Sequence, residues 1–298
     1  MKSHAVMPPF EFPCSRSLKL PELPEVETVV RGIREPLIGR TVQSVWYDWG
    51  RMIRVPDPEQ LAARIQGQTF RAVNRRAKYI LCELDHDILV VHLGMTGHLY
   101  VTPNKETRRE DRWVHFRLQL DAGQQLRFSD SRKFGFVSIT DKIDSIAPKL
   151  GPEPLTDAFT PDVLRERLQR HHKAIKALLL DQSFVAGVGN IYADEALHHA
   201  GIHPLRPADS LTDEDIVRLH AAIRLVLQRG IEREGASVST YRKPDGTRGD
   251  MQNHFLVYDR EDEPCLNCGQ PIRKIRVAQR GTHFCPHCQP LVMALMTK

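Results

Sequence analysis

The sequence predicts an α+β protein: an N-terminal antiparallel β-sandwich with a flanking helix, then a helical domain, then a small ribbon held by four cysteines. Three observations predict this. Directly after Pro21-Glu22-Leu23-Pro24-Glu25, the residues Val26, Val29, Val30, Ile33 and Leu37 form an apolar stripe at helical spacing. Residues 41–140 are rich in β-branched and aromatic residues broken by turn formers, and past Gly151 the apolar period becomes helical. Near the C-terminus, Cys265-x2-Cys268 is followed after sixteen residues by Cys285-x2-Cys288.

The expected divisions are an extension over 1–20, a sandwich over 21–150, helices with a long loop over 151–252, the ribbon over 253–290 and a tail over 291–298. At 298 residues the chain suits two domains with appendages, and 41% hydrophobic with 27% charged residues is a globular composition. No apolar run approaches the ~18 residues of a membrane span. Residues 1–20 are broken by Pro8, Pro9, Glu11 and Pro13 and do not form a secretory signal. They read as a disordered extension, or as sequence translated from a start upstream of the functional one, with Leu20 the initiator whose removal bares Pro21. Cys14 and Cys82 stand alone and the other four cysteines are grouped. That is no disulfide scaffold, and it points to a reducing cytoplasm.

In the first helix, a proline in the first turn and carboxylates near the positive dipole end suit a helix start. A second reading is chemical. A proline whose nitrogen is a free chain terminus is a secondary amine that attacks sugar or carbonyl carbon, and it titrates near ~8. Glu22 beside it would move protons. An amide nitrogen cannot do this, so Pro21 is either structural or the first residue of the functional chain.

Thr41–Trp49, Phe70–Leu84 and Ile88–Val101 carry the strand pattern. Phe116, Leu118, Leu120 and Leu126, Phe128 alternate around Asp121-Ala122-Gly123-Gln124, the mark of a half-buried hairpin. Thr160-Pro161 caps one helix, Ala174–Asp181 is helix-forming, and Thr212 caps a helix with Ile216, Leu219, Ile223 and Val226 on one face. Gly187-Val188-Gly189-Asn190 turns into a helix over Ile191–His199. That arrangement is similar to a helix–turn–helix whose backbone N–H groups hold phosphate. Ala236–Gln252 is a polar loop of the mobile or functional kind.

The formal net charge is only +5, but its distribution is uneven. Arg71, Arg75, Arg76 and Lys78 form one acid-free cluster. Arg273, Lys274, Arg276, Arg280 and Lys298 lie in a second acid-free stretch. Two such patches are a footprint compatible with nucleic acid, while a solvated face is the alternative for either alone. The cysteine spacing reads as a closed tetrahedral shell on two hairpin turns. It predicts one structural Zn2+ whose binding energy replaces a core so short a segment cannot build.

Together with Arg75-Arg76-Ala77-Lys78-Tyr79, His92-Leu93-Gly94-Met95-Thr96-Gly97, Asp130-Ser131-Arg132-Lys133-Phe134-Gly135 and Gly187-Val188-Gly189-Asn190-Ile191-Tyr192, these motifs make the chain resemble the formamidopyrimidine-DNA glycosylase family, in register from Pro21 to about Gln289. The resemblance implies a helix–two-turn–helix element in the helical domain, and a monomer in the bacterial cytoplasm acting at the nucleoid. It implies damaged double-stranded DNA as partner, held between the domains. The activity it implies is base-excision repair: removal of oxidised purines, 8-oxoguanine and formamidopyrimidines, followed by β,δ-elimination.

Pro21 then matches the nucleophile on C1′, through a Schiff base, and Glu22 the acid. Lys78 matches the residue of β-elimination or a phosphate contact, and Arg280 that of δ-elimination and phosphate grip. Glu25 matches a second active-site carboxylate or a support for the helix start. His92 and Asn190 join Lys78 and Arg280 as phosphate clamps. Met95, Arg132 and Phe134 match the set that fills the gap left by an everted nucleotide, although alone Met and Phe here read as core. Ser237–Met251, with Tyr241, aligns with a loop that closes over that base, and His172 and Lys176 lie near a phosphate-contacting helix start. Residues 1–20 have no family counterpart, and His115 is out of register with a loop histidine that often contacts DNA. Two alternatives stand beside this reading. One is an endonuclease VIII-like preference for oxidised pyrimidines. The other is a lesion-binding protein without catalysis.

Overall fold

The computed structural model describes residues 20–145 and 149–291. The extension before Leu20, with Cys14, and the tail beyond Leu291 lie outside the described residues.

Helix α1 (Leu23–Leu37) starts as its sequence requires: Pro24 sits in the first turn and the Glu22 N–H donates to the Glu25 carboxylate at 2.9 Å. Its apolar stripe serves two cores. Leu23 packs with the helical domain, whereas Val26, Val29, Val30, Ile33 and Leu37 pack with the sandwich. α1 therefore pins the two halves together.

The sandwich strands are β1 (Val42–Tyr47), β2 (Ala72–Arg76), β3 (Tyr79–Glu83), β4 (Ile88–His92), β5 (Gly97–Pro103), β6 (Val114–Leu120), β7 (Gln124–Asp130) and β8 (Phe136–Thr140). They form two four-stranded antiparallel sheets, ordered β1-β6-β7-β5 and β2-β3-β4-β8, that share one core. The predicted hairpin is β6–β7, with Leu118 opposite Leu126 and Phe116 opposite Phe128. Phe70–Leu84 and Ile88–Val101 each divide into two strands, because Ala77 (φ 53°) and Gly94 (φ 61°) turn the chain. The strand pattern concealed one helix, α2 (Pro58–Ile65), capped by Asp57 and burying Leu61 and Ile65.

The helical domain contains α3 (Pro161–Leu168), α4 (Ile175–Leu179), α5 (Asn190–Ala200) and α6 (Asp213–Glu232). Thr160 and Thr212 cap α3 and α6 as their sequences predict, each accepting from the backbone three residues on. The ribbon hairpin pairs β9 (Arg273–Val277) with β10 (Arg280–Phe284). Its own core is only Val257, Ile272, Cys265 and Cys285, too little apolar surface to hold it folded unaided.

Candidate active site and nucleic-acid interface

α1 meets α5 at the Gly187-Val188-Gly189 turn. The Leu23 N–H donates to the Gly187 carbonyl at 3.0 Å. A Cβ on Gly189 would lie 2.4 Å from Glu22 Cδ, so the glycine leaves room for that carboxylate. Glu22 fills it and accepts from the N–H groups of Ile191 (2.8 Å) and Tyr192 (3.3 Å), on the positive end of α5. Burial nevertheless dominates. Against Lys78 and the two N–H groups, desolvation and the Glu25 charge push the Glu22 carboxyl up to about 7. Near neutral pH it is divided between acid and carboxylate, which suits proton transfer.

Glu25 is buried one turn on. Its Oε1 accepts from the Tyr192 hydroxyl (2.8 Å) and the Ala236 N–H (2.7 Å), and its Oε2 accepts from the Glu22 N–H. Burial raises its pKa and these donors oppose the rise. The carboxylate ties α1, α5 and the loop after α6 into one unit, which is the supporting role.

Four residues from distant parts of the chain meet at one cavity of about 90 Å³: Glu22, Lys78, Asn190 and Arg280, with Leu20 and Tyr258 on its wall. Lys78 stands on the β2–β3 turn. Glu153 fixes that turn by accepting from the Ala77 N–H (2.5 Å), Arg75 (2.9 Å) and Arg76 (2.9 Å). Burial lowers the Lys78 pKa while Glu22 and Glu25 raise it. Asn190 Nδ2 donates to the Gly281 carbonyl at 3.0 Å, joining the first turn of α5 to the ribbon beside Arg280. His92 lies a strand away, its ring stacked on Phe136 at 5.4 Å. Its Nδ1 accepts from the Gly94 N–H, which places the proton on Nε2. Burial, with Lys78 and Arg54, pushes its pKa down to about 4, so near neutral pH the ring is an uncharged hydrogen-bond donor.

Met95, Arg132 and Phe134 come together on two adjoining loops. Arg132 lies over the Phe134 ring at 4.9 Å and reaches Met95 Sδ at 3.7 Å. Phe134 is 50% exposed, a large apolar surface that no core claims. The loops are joined by Asp130, which accepts from the Thr96 hydroxyl and from the N–H groups of Arg132 (3.2 Å) and Gly135 (2.7 Å). Gly94 and Gly135 let them touch, since a Cβ on Gly94 would lie 2.5 Å from the Gly135 nitrogen.

One expected phosphate contact falls elsewhere. Lys176 is fully buried and no phosphate contact: its Nζ pairs with Asp194 (2.6 Å) and donates to Thr282 Oγ1 (2.8 Å), clamping the ribbon to α4 and α5. His172 is exposed and lies beside Asp209. The 236–252 loop is folded, and its first residues border the small cavity beside Pro21. Ser237 is buried, with Oγ accepting from the Gly249 N–H at 3.0 Å, Tyr241 packs into the sandwich core, and Met251 into the helical core. His115 is a buried strand residue bonded to Asp48 at 2.7 Å. Sequence reasoning missed Asp130, Glu153, Tyr192 and Asp194. Asp130 and Tyr192 lay inside quoted motifs. Glu153, in Gly151-Pro152-Glu153-Pro154, was a rigidly placed acid with a basic cluster lacking counterions.

The four cysteine sulfurs lie within 4.8 Å of one another, Cys265 and Cys288 at 3.9 Å, Cys268 and Cys285 at 3.4 Å. A tetrahedral Zn–S shell at ~2.3 Å implies sulfur separations of about 3.8 Å, so the cluster fits a closed zinc site.

Three sequence profiles match successive parts of the chain. That of the formamidopyrimidine-DNA glycosylase N-terminal domain matches residues 20–137, that of the glycosylase H2TH domain 150–242, and that of the zinc finger found in FPG and IleRS 262–291. The chain is 50% identical to the formamidopyrimidine-DNA glycosylase of Symbiobacterium thermophilum, over 91% of this chain and 90% of that one. It is also 50% identical to the enzyme of Chloroflexus aggregans, over 92% and 100%. Among solved structures, a Lactococcus lactis FPG mutant in complex with Fapy-dG-containing DNA superposes with TM-score 0.84 at 38% identity, over 91% of this chain and 100% of that one. The MutM (FPG) protein of Thermus thermophilus gives 0.81 at 41% identity, over 92% and 100%. With sandwich, helical domain and ribbon all matched in order, the chain belongs to the formamidopyrimidine-DNA glycosylase family.

Proposed function

We propose that the chain is a base-excision DNA glycosylase that removes oxidised purines, 8-oxoguanine and formamidopyrimidines, from duplex DNA and then cleaves the strand as an abasic-site lyase. The observation that carries this reading is Glu22, buried beside Pro21 on the N-terminus of α5 and facing Lys78, Asn190 and Arg280 across one cavity. The Lactococcus lactis proteins hold Fapy-dG DNA and abasic-site DNA, which supports duplex DNA as the partner here.

Pro21, as a chain terminus, attacks C1′ of the everted nucleotide. The base leaves, the sugar ring opens with a proton from Glu22, and a Schiff base remains. That cation acidifies the C2′ hydrogen, whose loss expels the 3′ phosphate. A second elimination expels the 5′ phosphate. Lys78 assists the first step, and Arg280, with Asn190 and His92, holds the phosphates. Met95, Arg132 and Phe134 fill the vacated stack. One Zn2+ on the four cysteines fixes the ribbon that presents Arg280.

Leu20 borders both this cavity and the small one where Pro21 meets Met95, Ala236 and Tyr241. Its removal would free the Pro21 nitrogen toward both, so the active form begins at Pro21. Borohydride trapping on an 8-oxoguanine duplex tests this: the form beginning at Pro21 cross-links and the form beginning at Met1 does not. Equal trapping of both forms sinks the nucleophile assignment. Faster excision from thymine-glycol duplex would move the preference to pyrimidines, and tight abasic-analogue binding without trapping would remove catalysis altogether.

A further inference from the structure

We infer that His198, on the last turn of α5, donates a hydrogen bond from Nε2–H to the metal-bound thiolate of Cys265 and thereby slows metal release from the ribbon. This rests on reading the four cysteines as a Zn2+ site. His198 is 3% exposed, and its Nε2 lies 3.6 Å from Cys265 Sγ. Its other ring nitrogen, Nδ1, is buried with no hydrogen-bond partner among the described residues. A phenyl ring would fill that space without stranding a polar atom. The sulfur gives the imidazole a reason to be there.

The geometry also sets the tautomer. A thiolate only accepts, so the nitrogen facing it must carry the proton, and Nδ1 is left bare. A neutral thiol can donate instead, which releases the ring proton to Nδ1. Ring tautomer and metal occupancy are therefore coupled. The distance is not adjustable by a loop, because α5 holds the ribbon rigidly. Asp194 accepts from the His283 N–H at 2.9 Å, and Glu195 accepts from the N–H groups of Leu256, Val257 and Tyr258 at 2.8–3.0 Å. His198 thus stands as a donor just outside the metal-ligand shell.

The test uses the full chain, with zinc content measured first. Two-bond 1H–15N spectra of the zinc-loaded wild type are expected to show His198 as the Nε2–H tautomer, shifting to a mixture after chelation. His198→Phe is expected to pass its zinc to a chromophoric chelator about tenfold faster. An Nδ1–H tautomer in the zinc-loaded wild type overturns the inference whether or not the variant folds. So does a folded His198→Phe that releases zinc at the wild-type rate. Wild-type protein that binds no zinc would instead overturn the metal reading beneath it.

Discussion

Two basic clusters that look alike in the sequence have opposite fates in the fold. On the β2–β3 hairpin, Arg75 pairs with Glu27 (3.1 Å) and Glu153 (2.9 Å), Arg76 with the same Glu153 (2.9 Å), and Arg71 with Asp85 (2.6 Å). On the ribbon, Arg273 and Arg276 are exposed with no carboxylate partner among the described residues, and Lys274 pairs with Glu261 at 3.0 Å. The first cluster is scaffolding, and what it holds in place is Lys78. The second stays exposed, on a hairpin whose four cysteines fit a metal site. Charge density along a chain thus differs from charge available to a ligand. Acids 48 and 78 residues away decide which one a cluster provides.

Removing the metal should have the largest effect, since the ribbon's own core is so small. Structural zinc sites contribute on the order of 10 kcal/mol to folding. After chelation, ribbon amides should lose hydrogen-exchange protection while the sandwich keeps its own, and duplex affinity should fall at least tenfold. Ribbon amides that stay protected would mean that Val257 and Ile272 suffice, and the contrast between the clusters would fail.

The first cluster should break at Glu153. Glu153→Ala leaves Arg75, which is 10% exposed, with Glu27 as its remaining carboxylate partner and removes the acceptor of the Ala77 N–H. Leaving such donors unpaired costs about 1–3 kcal/mol. Urea unfolding should show that loss, and abasic-site cleavage should slow because the turn under Lys78 loosens. A drop in DNA affinity with stability unchanged would instead make this cluster a DNA surface.

Glu22 lies where the two clusters meet, facing Lys78 from one and Arg280 from the other. Its carboxyl titrates at about 7 when folded, against an ordinary value of 4.5. Between those values the folded chain holds a proton that the unfolded chain has lost. Stability from this group is therefore highest at low pH, falls as pH rises toward 7, and stays reduced above it. The fall should be roughly 2 kcal/mol and should vanish in Glu22→Gln. The decisive quantity is the difference between wild type and variant in urea unfolding at pH 5 and pH 7.5. The same substitution should slow base excision by about 100-fold or more, because an amide cannot supply the proton.

How much of this was legible in the sequence follows the same division. Elements set by local spacing were readable: the α1 stripe, the β6–β7 alternation, the threonine caps of α3 and α6, and the cysteine pairs. The catalytic candidates were readable because short motifs carry them together with the glycines they need, as Gly189 makes room for Glu22. Lys176 and Met251 misled, since a basic or flexible side chain near a functional segment looks the same whether it faces DNA or a core. Only Asp194, eighteen residues past Lys176, shows which. α2 was hidden because its eight residues sit in β-rich sequence, and its cap, Asp57-Pro58, reads equally well as a turn.

The smallest effect separates the clusters most cleanly. A phosphate contact releases counterions when it forms, so its loss lowers the slope of log affinity against log salt by about one. A scaffold arginine has no such signature. Arg276→Ala should therefore weaken duplex binding a few-fold, flatten that slope by about one and leave unfolding unchanged. Arg76→Ala should leave the slope intact while costing about 1 kcal/mol of stability, since its Glu153 partner keeps Arg75 and the Ala77 N–H. Equal slopes in both variants would show that ion pairing within the protein does not withhold an arginine from DNA. The β2–β3 hairpin would then count as part of the grip.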